Sequence, residues 1–190
     1  MRPLVFRVVL ALVPLTRGDA QHQVRGPGPT GDRQALEILL TVVERNIESA
    51  AEAMPADKYR FAPTRGEFRG VRTFGGQLKH LAATNYILAA AALDRDPPPD
   101  AGDEAGPDSV NSKAEVLAYL RGSFVSLGEA LAALDDAHPR VRVSPISPLG
   151  RDTPTRGTLV VEALIHSYDH YGQMVEYLRM NGVVPPASRS

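Results

Sequence analysis

Two histidines spaced four residues apart are the residues of this sequence best placed to do chemistry. They are His166 and His170, in the segment His-Ser-Tyr-Asp-His. On an α-helix, side chains four residues apart lie about 40° apart around the axis and roughly one turn along it. Both imidazoles can therefore face a single object. A third histidine, His80, lies in a separate apolar segment, so packing of the two segments would bring three nitrogen ligands together.

Three imidazoles are a suitable ligand set for a divalent metal. Zinc, nickel and ferrous iron all accept histidine nitrogen. Three protein ligands leave coordination positions open for water or substrate, which is typical of a catalytic site. A zinc-bound water can have a pKa of about 7, which makes hydroxide available at neutral pH. The histidines therefore indicate a site for one divalent metal (Zn, Ni or Fe) held by His80, His166 and His170.

Spacing alone leaves a second interpretation open. A bare pair of histidines four residues apart is a weak pattern, and a single histidine on a helix is more often a hydrogen-bonded structural residue. Two histidines on one inward face are more informative, because burying polar rings without partners costs free energy. A metal site and a purely structural bundle with satisfied core histidines are about equally supported at this point. His22 and His138 are expected to be exposed and outside the site.

Two carboxylates lie close to the paired histidines in sequence. Ligating imidazoles usually have their second nitrogen held by a carboxylate or a carbonyl. Glu162 is one helical turn before His166, and Asp169 adjoins His170. Either carboxylate could hold an imidazole, and the sequence does not choose between them.

The composition excludes several classes of protein. The chain has 190 residues, a net charge of −1 and no cysteine. The absence of cysteine excludes disulfides, thiolate metal sites and cysteine nucleophiles. Lysine and arginine are scattered without a basic run, so we expect no nucleic-acid partner. No glycine-rich phosphate loop or Gly-x-Ser-x-Gly motif is present, and the length suits one domain.

The N-terminus has the pattern of an export signal. Arg2 and Arg7 precede a short apolar run over 8–15, and Gly18-Asp19-Ala20 follows. This pattern predicts a signal peptide over 1–20, and its apolar run is too short to span a membrane. Residues 21–31 are rich in glycine and proline and predict a flexible lead-in. We therefore expect an exported protein, periplasmic or extracellular, with no membrane span in the mature chain; without a functional signal it would be cytoplasmic.

Apolar residues at three- and four-residue steps predict four helices, over 33–54, 73–94, 113–137 and 154–181. Proline-containing segments separate them, so the connections are long. Four amphipathic helices of this length predict an all-α four-helix bundle over 32–186, and such bundles build metal sites from side chains on facing helices. The inward seam of the fourth helix is predicted to comprise Leu159, Ala163, His166, His170, Gln173 and Tyr177.

Capping residues support these helices. Thr73 is a suitable N-cap for the second helix, and Ser112 with Glu115 forms a capping box before the third. Thr153 followed by Pro154 predicts the start of the fourth helix, and Gly182 predicts its end. Near the start of the second helix, Gly75-Gly76 is expected to be a packing contact rather than an anion site.

Several segments together resemble the DinB-like (damage-inducible B) family. The segment His-Ser-Tyr-Asp-His-Tyr-Gly-Gln over 166–173, with the tail over 177–186, carries most of the likeness. Val-Arg-Thr-Phe-Gly over 71–75, followed by His80-Leu81-Ala82, agrees with it, as does the segment 54–63 that joins the first two helices. The resemblance spans roughly residues 33–186.

The resemblance implies a four-helix bundle in which three histidines, matching His80, His166 and His170, hold a divalent metal. Relatives include metal-dependent transferases that use low-molecular-weight thiols and a thiol-dependent maleylpyruvate isomerase. The resemblance thus implies a metal-dependent enzyme such as a thiol S-transferase, while water activated by the metal would make it a hydrolase; the small-molecule substrate has an open identity. Dimers are common among relatives, so a homodimer is a candidate assembly.

Two departures from the family keep an alternative open. The residue before the last histidine, often histidine or glutamate in relatives, is Asp169 here. The predicted export signal also fits poorly with an enzyme that uses a cytosolic thiol. The alternative is a non-catalytic extracytoplasmic bundle that binds a metal or another ligand.

Overall fold

The computed structural model describes residues 31–101, 103–134 and 154–189. They form four α-helices: α1 (Gly31–Ala53), α2 (Phe74–Ala92), α3 (Lys113–Ala132) and α4 (Arg156–Met180). No strand is present in these ranges, so the predicted all-α four-helix bundle is confirmed. The predicted signal peptide, nearly all of the lead-in, His22 and His138 lie outside the described residues.

The order of packing explains the long connections. Helix α2 packs against α3 and α4, and α1 packs against the same two helices. Helices α1 and α2 are therefore diagonal in the bundle, although they follow each other in sequence. The connection over 54–73 has to cross between these diagonal positions, which a short turn could not do. The contact between α2 and α4 is the one that matters for the histidines, because it joins the two segments that carry them.

The core is apolar along the full length of the bundle. Leucine dominates it, which suits helices because its unbranched Cβ loses little rotamer freedom there. The largest side chains with less than 2% of their surface exposed come from all four helices and from the residue after α1: Ile47, Met54, Phe74, Leu78, Leu81, Leu88, Leu120, Leu127, Leu131, Leu159, Met174 and Leu178.

One buried polar contact crosses this core near the histidines. Asn85 of α2 is fully buried, and its Nδ2 donates to Ser123 Oγ of α3 at 3.2 Å. Its Oδ1 accepts from Ser167 Oγ of α4 at 3.4 Å. A buried amide satisfied from two neighbouring helices favours one relative position of those helices, because any slip leaves it unpaired. Asn85 therefore fixes the register of α2 and α4.

Several predicted helix ends are confirmed. Thr73 Oγ1 accepts from the Gly76 amide at 3.1 Å, and Ser112 with Glu115 forms the predicted capping box. After α4, Gly182 has a φ of 72°, the left-handed conformation expected of a helix-ending glycine.

Two predicted helix ends are wrong. Helix α3 ends at Ala132 instead of residue 137. A longer helix would place Asp135-Asp136 in its last turn, where the negative end of the helix dipole disfavours carboxylates. The N-cap of α4 is Thr155, whose Oγ1 accepts from the Thr158 amide at 3.2 Å. Pro154 therefore lies ahead of the helix, buried, instead of in its first turn.

None of the helices in the described ranges has the length and hydropathy to cross a membrane.

Gly75 is a packing contact, as predicted, and its replacement tests how tightly the 54–73 connection is held. A Cβ on Gly75 would lie 3.2 Å from both the carbonyl oxygen and the ring of Tyr59. The Tyr59 ring cannot easily move away from a new Cβ, because Tyr59 Oη donates to Ala51 O at 2.7 Å. We expect Gly75→Ala to lower the free energy of unfolding by about 1–3 kcal/mol, measured by chemical denaturation.

The matched control is Gly128→Ala in the middle of α3. A Cβ there meets no atom within 4 Å, and alanine is the better helix former, so stability should rise by about 0.5–1 kcal/mol. Equal effects of the two substitutions would contradict the proposed close contact.

Candidate metal centre

The three predicted histidines meet at the contact between α2 and α4. The Nε2 atom of His166 lies 3.2 Å from His80 Nε2 and 3.1 Å from His170 Nε2. One ligand nitrogen from each ring lies within 4.8 Å of the other two. The rings stand edge to face, with centroids 4.5–5.1 Å apart. The structure therefore brings together one residue of α2 and two residues of α4 that are 86 or more positions away in sequence.

The centre lies at the edge of the core, beside solvent. His80 and His170 are buried, whereas His166 is partly exposed. The predicted seam of α4 is therefore slightly rotated from the real one: Ser167 and Met174 are fully buried, while Gln173 is exposed. The sequence could not give this rotation, because it depends on how α2 and α4 pack. As a result, His166 faces both the other histidines and the outside.

A backbone carbonyl from the linker after α2 holds His80. The Nδ1 atom of His80 lies 2.6 Å from the carbonyl oxygen of Glu104. An Asp103 turn shapes this linker, since its side chain accepts from the Ala105 amide at 2.8 Å. Because a carbonyl oxygen can only accept, Nδ1 of His80 carries the hydrogen, and Nε2 is left with a free lone pair.

The same linker packs closely on the helix that carries His80. Gly106 has a φ of 75°, and a Cβ there would lie 3.2 Å from the Lys79 carbonyl oxygen. This glycine lets the linker turn against α2 one residue before His80. This linker therefore supplies the acceptor for one of the three rings.

A glutamine holds His170. The Nδ1 atom of His170 lies 2.5 Å from Gln77 Oε1 on α2. Gln77 is almost fully buried, and it lies three positions before His80, so both side chains point from one face of α2. Sequence reasoning missed this residue, although its place one turn before His80 was a usable signal. The Nδ1 atom of His166 is buried and has no hydrogen-bond partner among the described residues.

The two carboxylates considered from the sequence do not hold the rings. The acceptors for His80 and His170 are Glu104 O and Gln77 Oε1. Asp169 instead accepts a hydrogen bond from Gln173 Nε2 at 2.8 Å. Glu162 lines a cavity next to the histidines. A carboxylate placed where Gln77 lies would be buried, which is costly for an ion.

The surroundings keep the rings uncharged. Burial lowers the pKa of His166 to about 3 and that of His170 to about 4. Burial also lowers the pKa of His80. The neighbouring imidazoles and Arg72 act in the same direction on His166, since each would repel a positive ring. All three histidines are therefore neutral at pH 7, which is the state that binds metal.

The donor set fits a divalent ion. Nitrogens bound at 2.0–2.1 Å to a tetrahedral ion lie about 3.3–3.4 Å apart, close to the 3.1 and 3.2 Å separations here. Without a cation, lone pairs of neighbouring rings face each other, and only His166 can place a hydrogen between them. One hydrogen cannot serve both short contacts well. The arrangement thus suits a positive charge at the point where the three Nε2 atoms converge.

A cavity opens beside the histidines. It has a volume of about 550 Å³, within the usual range for small-molecule sites. Most of the surface that lines it is apolar, and its lining residues come from α2, α4 and the linker: His80, Thr84, Leu88, Glu104, Thr158, Val161, Glu162, Ile165, His166 and Asp169. The hydroxyl of Thr84 is buried there and has no partner among the described residues.

Comparison with known proteins agrees with this architecture. A family model described as the DinB superfamily matches residues 15–174, which is most of the 190-residue chain. No curated protein matches the sequence. The family match, the helical bundle and the three clustered histidines together show that this chain belongs to the DinB superfamily.

Proposed function

We propose that this protein is a metal-dependent enzyme in which His80, His166 and His170 hold one divalent ion beside a largely apolar substrate cavity. The observation that carries this proposal is the convergence of three neutral imidazoles at the wall of that cavity. His80 and His166 belong to both features, so a molecule in the cavity lies next to the ligand nitrogens.

An open coordination position separates a catalytic metal site from a structural one. Structural zinc sites are closed by four protein ligands, whereas catalytic sites have three and an open position. The described residues provide three clustered ligands of this kind. An ion in this place would supply Lewis acidity and lower the pKa of a water or a thiol that it coordinates. Activated water would make the protein a hydrolase, and an activated thiol would make it an S-transferase.

The cavity walls indicate the kind of substrate. Leu88, Val161 and Ile165 provide apolar surface, which would bind the hydrocarbon part of a small molecule and exclude water from it. The buried hydroxyl of Thr84 would gain a hydrogen bond from a polar group on that molecule, because it has no partner among the described residues. These walls suit a small substrate with an apolar body and one polar, electrophilic group.

Two carboxylates complete the cavity. Glu162 and Asp169 both line it, so each can accept the proton that an attacking water or thiol releases. The histidines, held neutral by burial, remain ligands and do not serve as the base. The family resemblance supports thiol transfer, and the water that an ion at an open position would activate supports hydrolysis.

Metal binding is the first testable consequence. Metal-free protein titrated with zinc should bind one ion per chain, and zinc at a hundred times its Kd should stabilise the fold by about 2.7 kcal/mol. His170→Ala should abolish stoichiometric binding, because it removes a ligand. Competition with a coloured chelator and thermal unfolding measure both effects.

The control for that titration is Ile165→Ala, which changes an exposed neighbour of His166 on the same helix and should bind zinc normally. If His170→Ala binds zinc as tightly as the unaltered protein does, the proposed centre is wrong.

Turnover is the second consequence. We expect the zinc-loaded protein to consume some member of a panel of small apolar electrophiles (activated esters, epoxides and aryl halides), with water alone or with an added small thiol. A chelator should stop the reaction because it removes the ion, and His166→Ala should stop it because it removes one of the three ligands that hold the ion. Mass spectrometry of the products distinguishes hydrolysis from thiol transfer. Gln34→Met changes an exposed residue of α1 and serves as the control whose activity should not change.

The outcome that would overturn catalysis is specific. Zinc that binds and raises the melting temperature, with no chelator-sensitive turnover across the panel, would favour a non-catalytic metal-binding bundle.

A further inference from the structure

We propose that a directed chain of hydrogen bonds from Asp169 through Gln173 and Gln77 holds His170 in the one tautomer that can bind a metal through Nε2. Asp169, Gln173 and Gln77 are thus positioning residues. This inference deepens the proposed metal site and rests on it for its purpose, but the hydrogen-bond chain can be tested without metal.

The chain is continuous and well formed. Gln173 Nε2 donates to Asp169 Oδ2 at 2.8 Å within α4. Gln77 Nε2 on α2 donates to Gln173 Oε1 at 2.8 Å. Gln77 Oε1 then lies 2.5 Å from His170 Nδ1. Three consecutive contacts thus lead from a carboxylate at the surface to a buried ligand ring.

The chemistry of the groups gives the chain one direction. A carboxylate can only accept, so Gln173 has to turn its amide nitrogen toward Asp169. The oxygen of Gln173 then faces Gln77, and the amide nitrogen of Gln77 has to donate to it. The oxygen of Gln77 is left facing the ring of His170. Nδ1 of His170 therefore carries the hydrogen, and Nε2 keeps a free lone pair.

His170 needs such a chain, whereas His80 does not. His80 is held by the Glu104 carbonyl, which accepts in any circumstance and fixes the tautomer by itself. Gln77 is an amide and could present either end to His170. If it presented the nitrogen, Nδ1 would become the acceptor and the hydrogen would move to Nε2, where it would block the metal. The fixed direction of the chain prevents this reversal.

The burial of the chain suits this role. Gln77 is only 3% exposed, so water is poorly placed to replace either of its partners. Asp169 and Gln173 are exposed. The negative charge that sets the direction therefore stays in solvent, where it costs little, while a neutral amide carries its effect inward. A carboxylate directly on His170 would have the same effect on the tautomer but would have to be buried.

The sharpest test is Asp169→Asn, which keeps the shape and the number of hydrogen bonds but removes the direction. Asparagine can donate as well as accept, so the whole chain can reverse. In metal-free protein at pH 7.5, long-range ¹H–¹⁵N spectra should show His170 with its hydrogen only on Nδ1 in the unaltered chain. In Asp169→Asn a second population with the hydrogen on Nε2 should appear. Zinc affinity should then fall in proportion to the fraction of molecules in which His170 keeps its hydrogen on Nδ1.

Glu162→Gln is the matched control for charge. It removes a carboxylate from the same cavity without touching the chain, so the tautomer of His170 should not change. A loss of zinc affinity that is equal in Asp169→Asn and Glu162→Gln, with an unchanged tautomer in both, would show that Asp169 acts by charge alone and would overturn the proposal.

Gln77→Met tests the inner link. It removes the acceptor next to His170 at similar volume, so Nδ1 should lose its fixed hydrogen and zinc affinity should fall by about tenfold, as for other residues that hold metal ligands. Gln34→Met on the exposed face of α1 is the control. If Gln77→Met does not fold, Asp169→Asn still decides the matter, because Asp169 is exposed.

The two proposals fail in different ways. A protein that binds no zinc but shows the predicted tautomers would refute the metal site and leave the hydrogen-bond chain intact. A protein that binds zinc while His170 carries its hydrogen on Nε2 in the metal-free state, or keeps one tautomer in Asp169→Asn, would refute the chain and leave the metal site intact.

Discussion

At the contact between α2 and α4, the electron-rich Nε2 atom of His166 lies within about one hydrogen-bond length of the Nε2 atoms of His80 and His170. Neighbouring lone pairs repel, and a fold keeps such an arrangement only when packing enforces it or a cation relieves it. Here packing contributes through Asn85, which is buried and bonded to both neighbouring helices. The register that Asn85 maintains is the register that brings His80 to the histidines of α4, so the polar core contact and the candidate metal centre depend on each other.

Three features of the surroundings make the histidine rings suitable as metal ligands. A ligand ring has to be neutral, correctly protonated and open on one side. Burial keeps the rings neutral by lowering their pKa values. A backbone carbonyl and a buried amide hold the outer nitrogens of two rings. The third ring, His166, is the most exposed of the three and forms the boundary between the ligand cluster and the cavity. The least constrained ring is therefore one of the two that line the space where a substrate would lie.

Sequence reasoning predicted the parts of this protein that local chemistry determines. The four helices, the Thr73 cap, the capping box of Ser112 and the three clustered histidines all follow from spacing and residue type. The holders of the rings did not follow, because they depend on tertiary contacts. Gln77 meets His170 across 93 positions of sequence, and Glu104 contributes a carbonyl that every residue type possesses. The slight rotation of α4, which exposes Gln173, likewise depends on helix packing, which no periodicity specifies.

The carbonyl of Glu104 has an evolutionary consequence. Because the acceptor belongs to the main chain, exchanging the side chain at this position leaves the support of His80 chemically intact. What the support does require is the path of the linker: the Asp103 turn and the close approach of Gly106 to α2 set where the carbonyl lies. Drift at position 104 should therefore be tolerated, while insertions or deletions between α2 and α3 would move the acceptor away from the ring. In this part of the molecule, the number of residues matters more than their identity.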